Sequence, residues 1–175
     1  MTSVYAQVLG ADGLAKLAPE CRALHETMGR FEGEITVEMT RNPLLRVALR
    51  CAGFPKAFEQ AALVFTKGKQ GQREVWTRQI GDQVMRTVQW VESDGRLAER
   101  LGAMTAISRL SPASGGLDLT DWQFRFAGLP LPRWAAPNVT ASDRPDQAKY
   151  RFEIAICLPW SNTPIVRYHG WLATS

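Results

Sequence analysis

Three stretches of the chain set polar, reactive side chains among apolar ones in a strand-like rhythm. In REVWTRQI, residues 73–80, Glu74, Trp76, Arg78 and Ile80 fall on one side of the alternation, Val75 and Thr77 on the other. In LAERLG, residues 97–102, Glu99 sits between Leu97 and Leu101 on the more apolar side. A carboxylate in that company must be paired or protonated, because an unpaired buried charge is strongly destabilising. In PIVRYHGWLA, residues 164–173, Arg167, His169 and Trp171 alternate with Val166, Tyr168, Gly170 and Leu172. A fourth segment, the proline-rich GLPLPRWAAP at 128–137, presents Trp134 as a large apolar plate beside Arg133. The chemistry these residues suggest is recognition: a polar anchor in apolar surroundings orients the head of a small amphipathic molecule. The candidate ligand-binding set is Trp76, Arg78, Glu99, Trp134, Arg167, Tyr168 and His169. The plainer alternative is an Arg78–Glu99 ion pair that only supports the fold.

Residues for catalysis are sparse. His25 falls at the end of a predicted helix, where a cationic ring suits the helix dipole. Neither His25 nor His169 stands at metal-ligand spacing, and no nucleophile elbow, glycine-rich phosphate loop, HExxH or CxxC motif occurs. An acid–base dyad of Glu99 with His169 has only residue type behind it. The expectation is no catalytic residue, no metal and no cofactor, with an enzyme built on an interior Glu/His/Arg cluster as the minor reading.

The elements that must position these groups are mostly strands. The first 28 residues read as helical, broken at Gly10 and Gly13 and reopened at Pro19. RFEGEITVEMT alternates, with Phe31, Gly33, Ile35, Val37 and Met39 on one face. NPLLRVALRCAGFP is a punctuated short helix: Asn42 caps, Pro43 starts, Gly53 ends and Pro55 stops it. Strands follow at 57–67, 72–80, 83–92, 96–109, 117–127 and 148–158, then 163–173, with a weaker one near 138–142. Gly81-Asp82 suits a two-residue turn and Ser93-Asp94-Gly95 a three-residue turn with a bulge. That second turn puts Leu97, Glu99 and Leu101 on the face of Trp76 and Arg78, whereas a two-residue turn would move every side chain across. Both faces of strands 72–92 carry apolar groups, so the N-terminal helices are expected to cover part of the outer face, or one end of the sheet, rather than form a separate domain. Trp122, Phe124 and Phe126 share a strand face and join Phe152, Ile154 and Ile156 in the expected core.

Eight or nine antiparallel strands in one domain, residues 1–175, call for a barrel or strongly curved sheet, because closure removes edges. The expected class is mainly β (α+β), with N-terminal helices and a short helix between strands 1 and 2. That order resembles the calycin group, especially fatty-acid-binding proteins, in which an Arg and a Tyr of the final strand hold a carboxylate. Arg167 and Tyr168 are adjacent, so only one of them can look inward. GLPLPRW reads as a rigid strap across a barrel end, its Trp134 covering the core or forming the rim of an entrance.

Composition is that of an ordinary globular protein, 45% hydrophobic and 22% charged. No apolar run approaches the ~20 residues of a membrane span. MTSVYAQVLG lacks the basic and apolar regions of a signal peptide, and Cys21, Cys51 and Cys157 are too few and too scattered for a disulfide framework. A cytoplasmic location is therefore expected. The net charge of +4 is mildly basic and Arg is scattered along the strands, so nucleic acid is not expected as a partner.

VWTRQI at 75–80, LAERLG at 97–102, GLPLPRWAAP at 128–137 and YHGWL at 168–172, together with ALH at 23–25 and FEGEITV at 31–37, resemble a bacterial domain-of-unknown-function family, number 4166. The resemblance runs through nearly the whole chain in order. Ile80 stands where the family pattern suggests an aromatic. The resemblance implies no assigned reaction. It does imply that such domains stand alone or behind a saccharopine-dehydrogenase-like domain. Two functions follow as alternatives: a barrel binding a small apolar or amphipathic ligand, or an accessory module packing on an oxidoreductase partner.

Overall fold

Hydrophobic alternation shapes most of the eleven strands of the computed structural model, which describes residues 2–174. Helices α1 (Val4–Ala15) and α2 (Pro19–Glu26) precede β1 (Gly29–Met39) and α3 (Pro43–Cys51). Then come β2 (Phe58–Gln70), β3 (Arg73–Ile80), β4 (Gln83–Val91), β5 (Leu97–Leu101) and β6 (Met104–Ala113). The chain ends with β7 (Gly116–Phe126), β8 (Leu129–Pro130), β9 (Asn138–Asp146), β10 (Lys149–Cys157) and β11 (Pro164–Ala173). Each long strand pairs antiparallel with its predecessor, and β11 pairs with β1. Ten strands thus close an up-and-down barrel without a free edge, and two-residue β8 adds only to the end of β7.

The strand count departs from the sequence expectation at one place. Residues 96–109 are two strands, because Gly102-Ala103 forms a tight turn with Leu101 opposite Met104 and Gly102 at φ 57°. This is the same glycine-first signature as Gly81-Asp82, hidden here inside an apolar run that reads as one strand. The weak strand near 138–142 is a full strand, β9. The two expected turns formed as read: Ile80 faces Gln83, and Val91 faces Leu97 across Ser93-Asp94-Gly95, with Gly95 at φ 82°. The closing seam needs close backbone approach. A Cβ on Gly33 would lie 1.8 Å from the Trp171 carbonyl oxygen, and one on Gly170 would lie 2.1 Å from that of Glu34.

The two ends of the barrel differ. At one end α1 and α2 enter as a plug. Ser3 caps α1, accepting from the Ala6 N–H, and a kink at Gly10 (φ 66°) turns the helix. Val4, Tyr5, Leu17, Cys21 and Leu24 are buried in the barrel core. At the other end α3 lies across the opening, capped as the sequence indicates by the Asn42 side-chain Oδ1, which accepts from the Leu44 and Leu45 N–H. Of the two placements expected for the N-terminal helices, over the outer face of β3 and β4 or at one end of the sheet, they take the end and fill the interior there. That outer face meets solvent. Val84 is exposed there, and half-buried Trp90 has the Arg73 guanidinium 5.2 Å from its ring and donates from its indole N–H to Glu92. Phe126, expected in the core, is 54% exposed because β7 carries it past the rim. Phe31, Ile35, Val37 and Phe124 are buried.

Candidate functional site: the barrel interior

The inward face begins with β3, whose residues Glu74, Trp76, Arg78 and Ile80 point to the axis. β4 contributes Met85, Thr87 and Gln89, and β5 contributes Leu97 and Glu99, in the register set by the two turns. Arg78 Nη1–H donates to Thr87 Oγ1 at 3.0 Å, and Nη2–H reaches Glu99 Oε1 at 3.5 Å. Its guanidinium lies 5.3 Å from the Phe65 ring and 5.5 Å from the Trp76 ring, so π faces take part of the charge. Glu99 keeps 29% of its side chain accessible, whereas Arg78 keeps 13%. The pair is therefore half open to the barrel lumen and not sealed in core.

Above this pair lies an apolar cavity of about 380 Å³. Its walls include Met85, Leu119, Trp122, Ile154 and Ile156, with Leu45 and Leu49 of α3 as the roof. Partial exposure of Trp122, Ile154 and Ile156 follows from this hollow. Trp122 is turned inward by a bulge at Asp121 (φ 53°), where the β6–β7 register shifts; without it, Leu119 and Trp122 would face opposite ways. The Trp122 indole N–H is buried and has no partner among the described residues. Below the pair lies a second hollow of about 60 Å³, bordered by Tyr5, Trp76, Asp143 and Tyr150. Glu99, Leu119, Ala141, Ile154 and Tyr168 border both, so the two hollows meet at the Arg78–Glu99 pair. Burial raises the Tyr168 hydroxyl to a pKa of about 12, with Arg78 opposing and Glu99 adding to the shift.

Beneath the smaller hollow is a polar network that ties the plug to the wall. Fully buried His25 donates from Nε2 to Asp143 at 3.0 Å and stacks on Tyr5 at 4.1 Å. Tyr5 in turn stacks on Trp76. Glu74, also fully buried, accepts from the Val4 backbone N–H at 2.6 Å and the Trp76 indole N–H at 3.0 Å. Lys67 donates to the Leu24 and His25 carbonyls that end α2, and burial lowers its pKa to about 8 while Glu74 opposes the shift. Burial, then the charge of Asp143, pushes Tyr5 and Tyr150 well above the usual tyrosine range. Sequence reasoning placed His25 at a helix end for its dipole; the structure makes it the hinge pin of the plug. Glu74 shares the alternation of Trp76, which was the available signal. Asp143 gave none, since its partners arrive from 118 residues away.

Of the seven candidate residues, Trp76, Arg78, Glu99 and Tyr168 meet inside the barrel. The other three do not. Arg167 and His169 are on the outer face of β11, since Val166, Tyr168 and Leu172 take the inward positions. There Arg167 pairs with Glu153 and His169 lies 3.8 Å from Glu38. The pairing of Glu99 with His169 is thereby excluded by the barrel wall. Trp134 is 77% exposed and covers no core; its neighbours Ala135 and Pro137 border the cavity mouth instead. Among the described residues no cluster of His, Cys, Asp and Glu could hold a metal ion, and no helix is long and apolar enough to cross a membrane.

A closed meander barrel plugged at one end and hollow at the other, with a charged pair at the floor of an apolar cavity, defines the class of protein. The Domain of unknown function (DUF4166) family model matches residues 17–172, and the chain belongs to that family. Among solved structures, the chain is similar to that in the "Crystal Structure of Rv2717c from M. tuberculosis", at 14% identity and a TM-score of 0.49, over 90% of this chain and 98% of that one. A comparison with curated proteins found no match.

Proposed function

We propose that this domain binds a small amphipathic molecule inside the barrel, apolar body in the larger hollow and polar end on Arg78, Glu99 and Tyr168. The observation that carries the reading is the cavity itself. About 380 Å³ of apolar-walled space ends on a half-open ion pair. Such a volume lies within the range of small-molecule sites, roughly 300–1,000 Å³. A barrel with six Trp and seven Phe in its chain had the means to fill that space and does not. The plug explains why the cavity has one mouth: Tyr5, His25 and Leu24 close the other end. Polar groups at the floor and apolar groups along the walls orient a ligand head inward. At the floor Arg78 is a donor and Glu99 an acceptor. The test is native mass spectrometry of protein purified from its source cell, followed by displacement of 1-anilinonaphthalene-8-sulfonate by decanoate and by decanol. Retained mass or competitive displacement is expected. An empty protein that takes up neither probe would refute the reading.

A further inference from the structure

The five connections at the cavity end are 40–57, 81–82, 102–103, 127–137 and 158–163. They hold Arg41, Arg46, Arg50, Lys56 and Arg133 against a single acid, Asp82, so their balance equals the whole chain's +4 and the remainder is neutral. Lys56 and Asp82 pair with each other at 3.0 Å. The four arginines are exposed and make no ion pair among the described residues. Four of these cations, Arg41, Arg46, Arg50 and Lys56, stand in the one acid-free connection 40–57, and the fold brings Arg133 to the same end.

The same end carries the exposed apolar side chains. Leu44, Val47, Val84, Phe126, Leu129, Trp134 and Trp160 are the large hydrophobics exposed among the described residues, and all lie in these connections or within two residues of them. Trp134 and Trp160 are 77% and 75% exposed. On α3 the division is by face. Leu45 and Leu49 roof the cavity, while Leu44 and Val47 point to solvent beside Arg46 and Arg50. Tryptophan and arginine are the side chains that lie well at a lipid headgroup level, with leucine and valine just beneath.

We propose that this end docks on an anionic lipid surface, so that the cavity exchanges its ligand directly with a bilayer. The occupant is chosen by charge complementarity and by the mixture of side chains. Exposed tryptophans with uncompensated arginines, ringing an apolar mouth, fit a negatively charged, apolar-cored layer. The exchange rests on the cavity reading above, whereas the docking rests on the rim alone.

The test is co-sedimentation of the intact protein with phosphatidylcholine vesicles and with mixed phosphatidylcholine–phosphatidylglycerol vesicles, at low and high salt. Binding is expected to the mixed vesicles, to fall with salt, and to be weak on phosphatidylcholine alone. Tryptophan emission should be quenched by brominated lipid. The Trp134→Ser, Trp160→Ser double variant should lose most of that quenching while its thermal midpoint and its uptake of anilinonaphthalene sulfonate stay as in the wild type. Arg46→Glu with Arg50→Glu should lower vesicle partition by at least about tenfold. Absence of binding to either vesicle at low salt would overturn the docking. So would a dimer in sedimentation velocity that the double tryptophan variant abolishes, or a stable complex with an acidic protein formed while vesicles are ignored. Decanoate displacement is measured without vesicles, so a failure of docking is distinguishable from a failure of the cavity reading.

Discussion

Arg78→Met separates a ligand anchor from a structural ion pair. The change removes a 3.0 Å hydrogen bond to Thr87, a 3.5 Å contact to Glu99 and two ring faces at 5.3 and 5.5 Å. Breaking a sealed ion pair costs about 3–5 kcal/mol, because the remaining charge has no solvent. Glu99 is not sealed: 29% of its side chain is accessible, and its contact to Arg78 lies at the outer limit of a hydrogen bond. The stability cost should therefore be the Thr87 bond, about 1 kcal/mol, plus about 0.5–1 kcal/mol for the ring contacts, offset in part by methionine packing between Phe65 and Trp76. A net loss of about 1–2 kcal/mol is expected in urea unfolding. A hydrogen bond to a charged group contributes about 1.5–3 kcal/mol, so decanoate affinity should fall by roughly ten- to a hundredfold, while decanol falls less. A loss of 3 kcal/mol or more, on the order of a sealed pair, with decanoate binding unchanged, would refute the anchor and leave the structural pair.

Other outcomes follow from single positions. Ala141 borders both hollows, so Ala141→Phe should fill them and abolish probe uptake while the urea midpoint holds or rises. Gly170→Ala would drive its Cβ toward the Glu34 carbonyl, 2.1 Å away, and should cost more than about 3 kcal/mol by urea unfolding. A wild-type midpoint would mean the seam between β1 and β11 is looser than described. Lys67 has its pKa lowered to about 8 from 10.5, so between those values the unfolded chain binds more protons and stability rises with pH. The gross effect is roughly 3 kcal/mol. It is opposed above pH 9 by Cys21, whose thiol is raised to about 12 from 9.0, and above pH 10 by the buried tyrosines, because these groups ionise first in the unfolded chain. The advantage of wild type over Lys67→Met should therefore grow from pH 8 to 10, and a flat difference would place Lys67 in solvent.

Much of this protein was written locally. Strand phase is a two-residue property, so alternation alone put Glu74, Trp76 and Arg78 on one face. Two short turns carried that face across β4 to Glu99, because turn chemistry fixes register over a few residues. Asn42, Pro43 and Gly53 marked α3 for the same reason: caps act within one helical turn. What tertiary structure decided was every question of inside against outside over long separations. Alternation shows that Arg167 and Tyr168 oppose each other; only closure of β11 on β1 shows that Tyr168 takes the lumen and Arg167 the surface. The helical stripe of α1 and α2 needed a partner, and nothing local distinguished an outer face from the hollow end of a barrel. The Gly102-Ala103 turn hid in an apolar run, and the Asp121 bulge that turns Trp122 inward needs the β6 partner strand to be seen at all. His25 and Asp143 meet across 118 residues because a barrel brings distant strands to one axis, and sequence spacing holds no record of that distance. Closure likewise decides where the basic stretch 41–56 lies: it sets that stretch at the cavity mouth and brings the distant Arg133 to the same end.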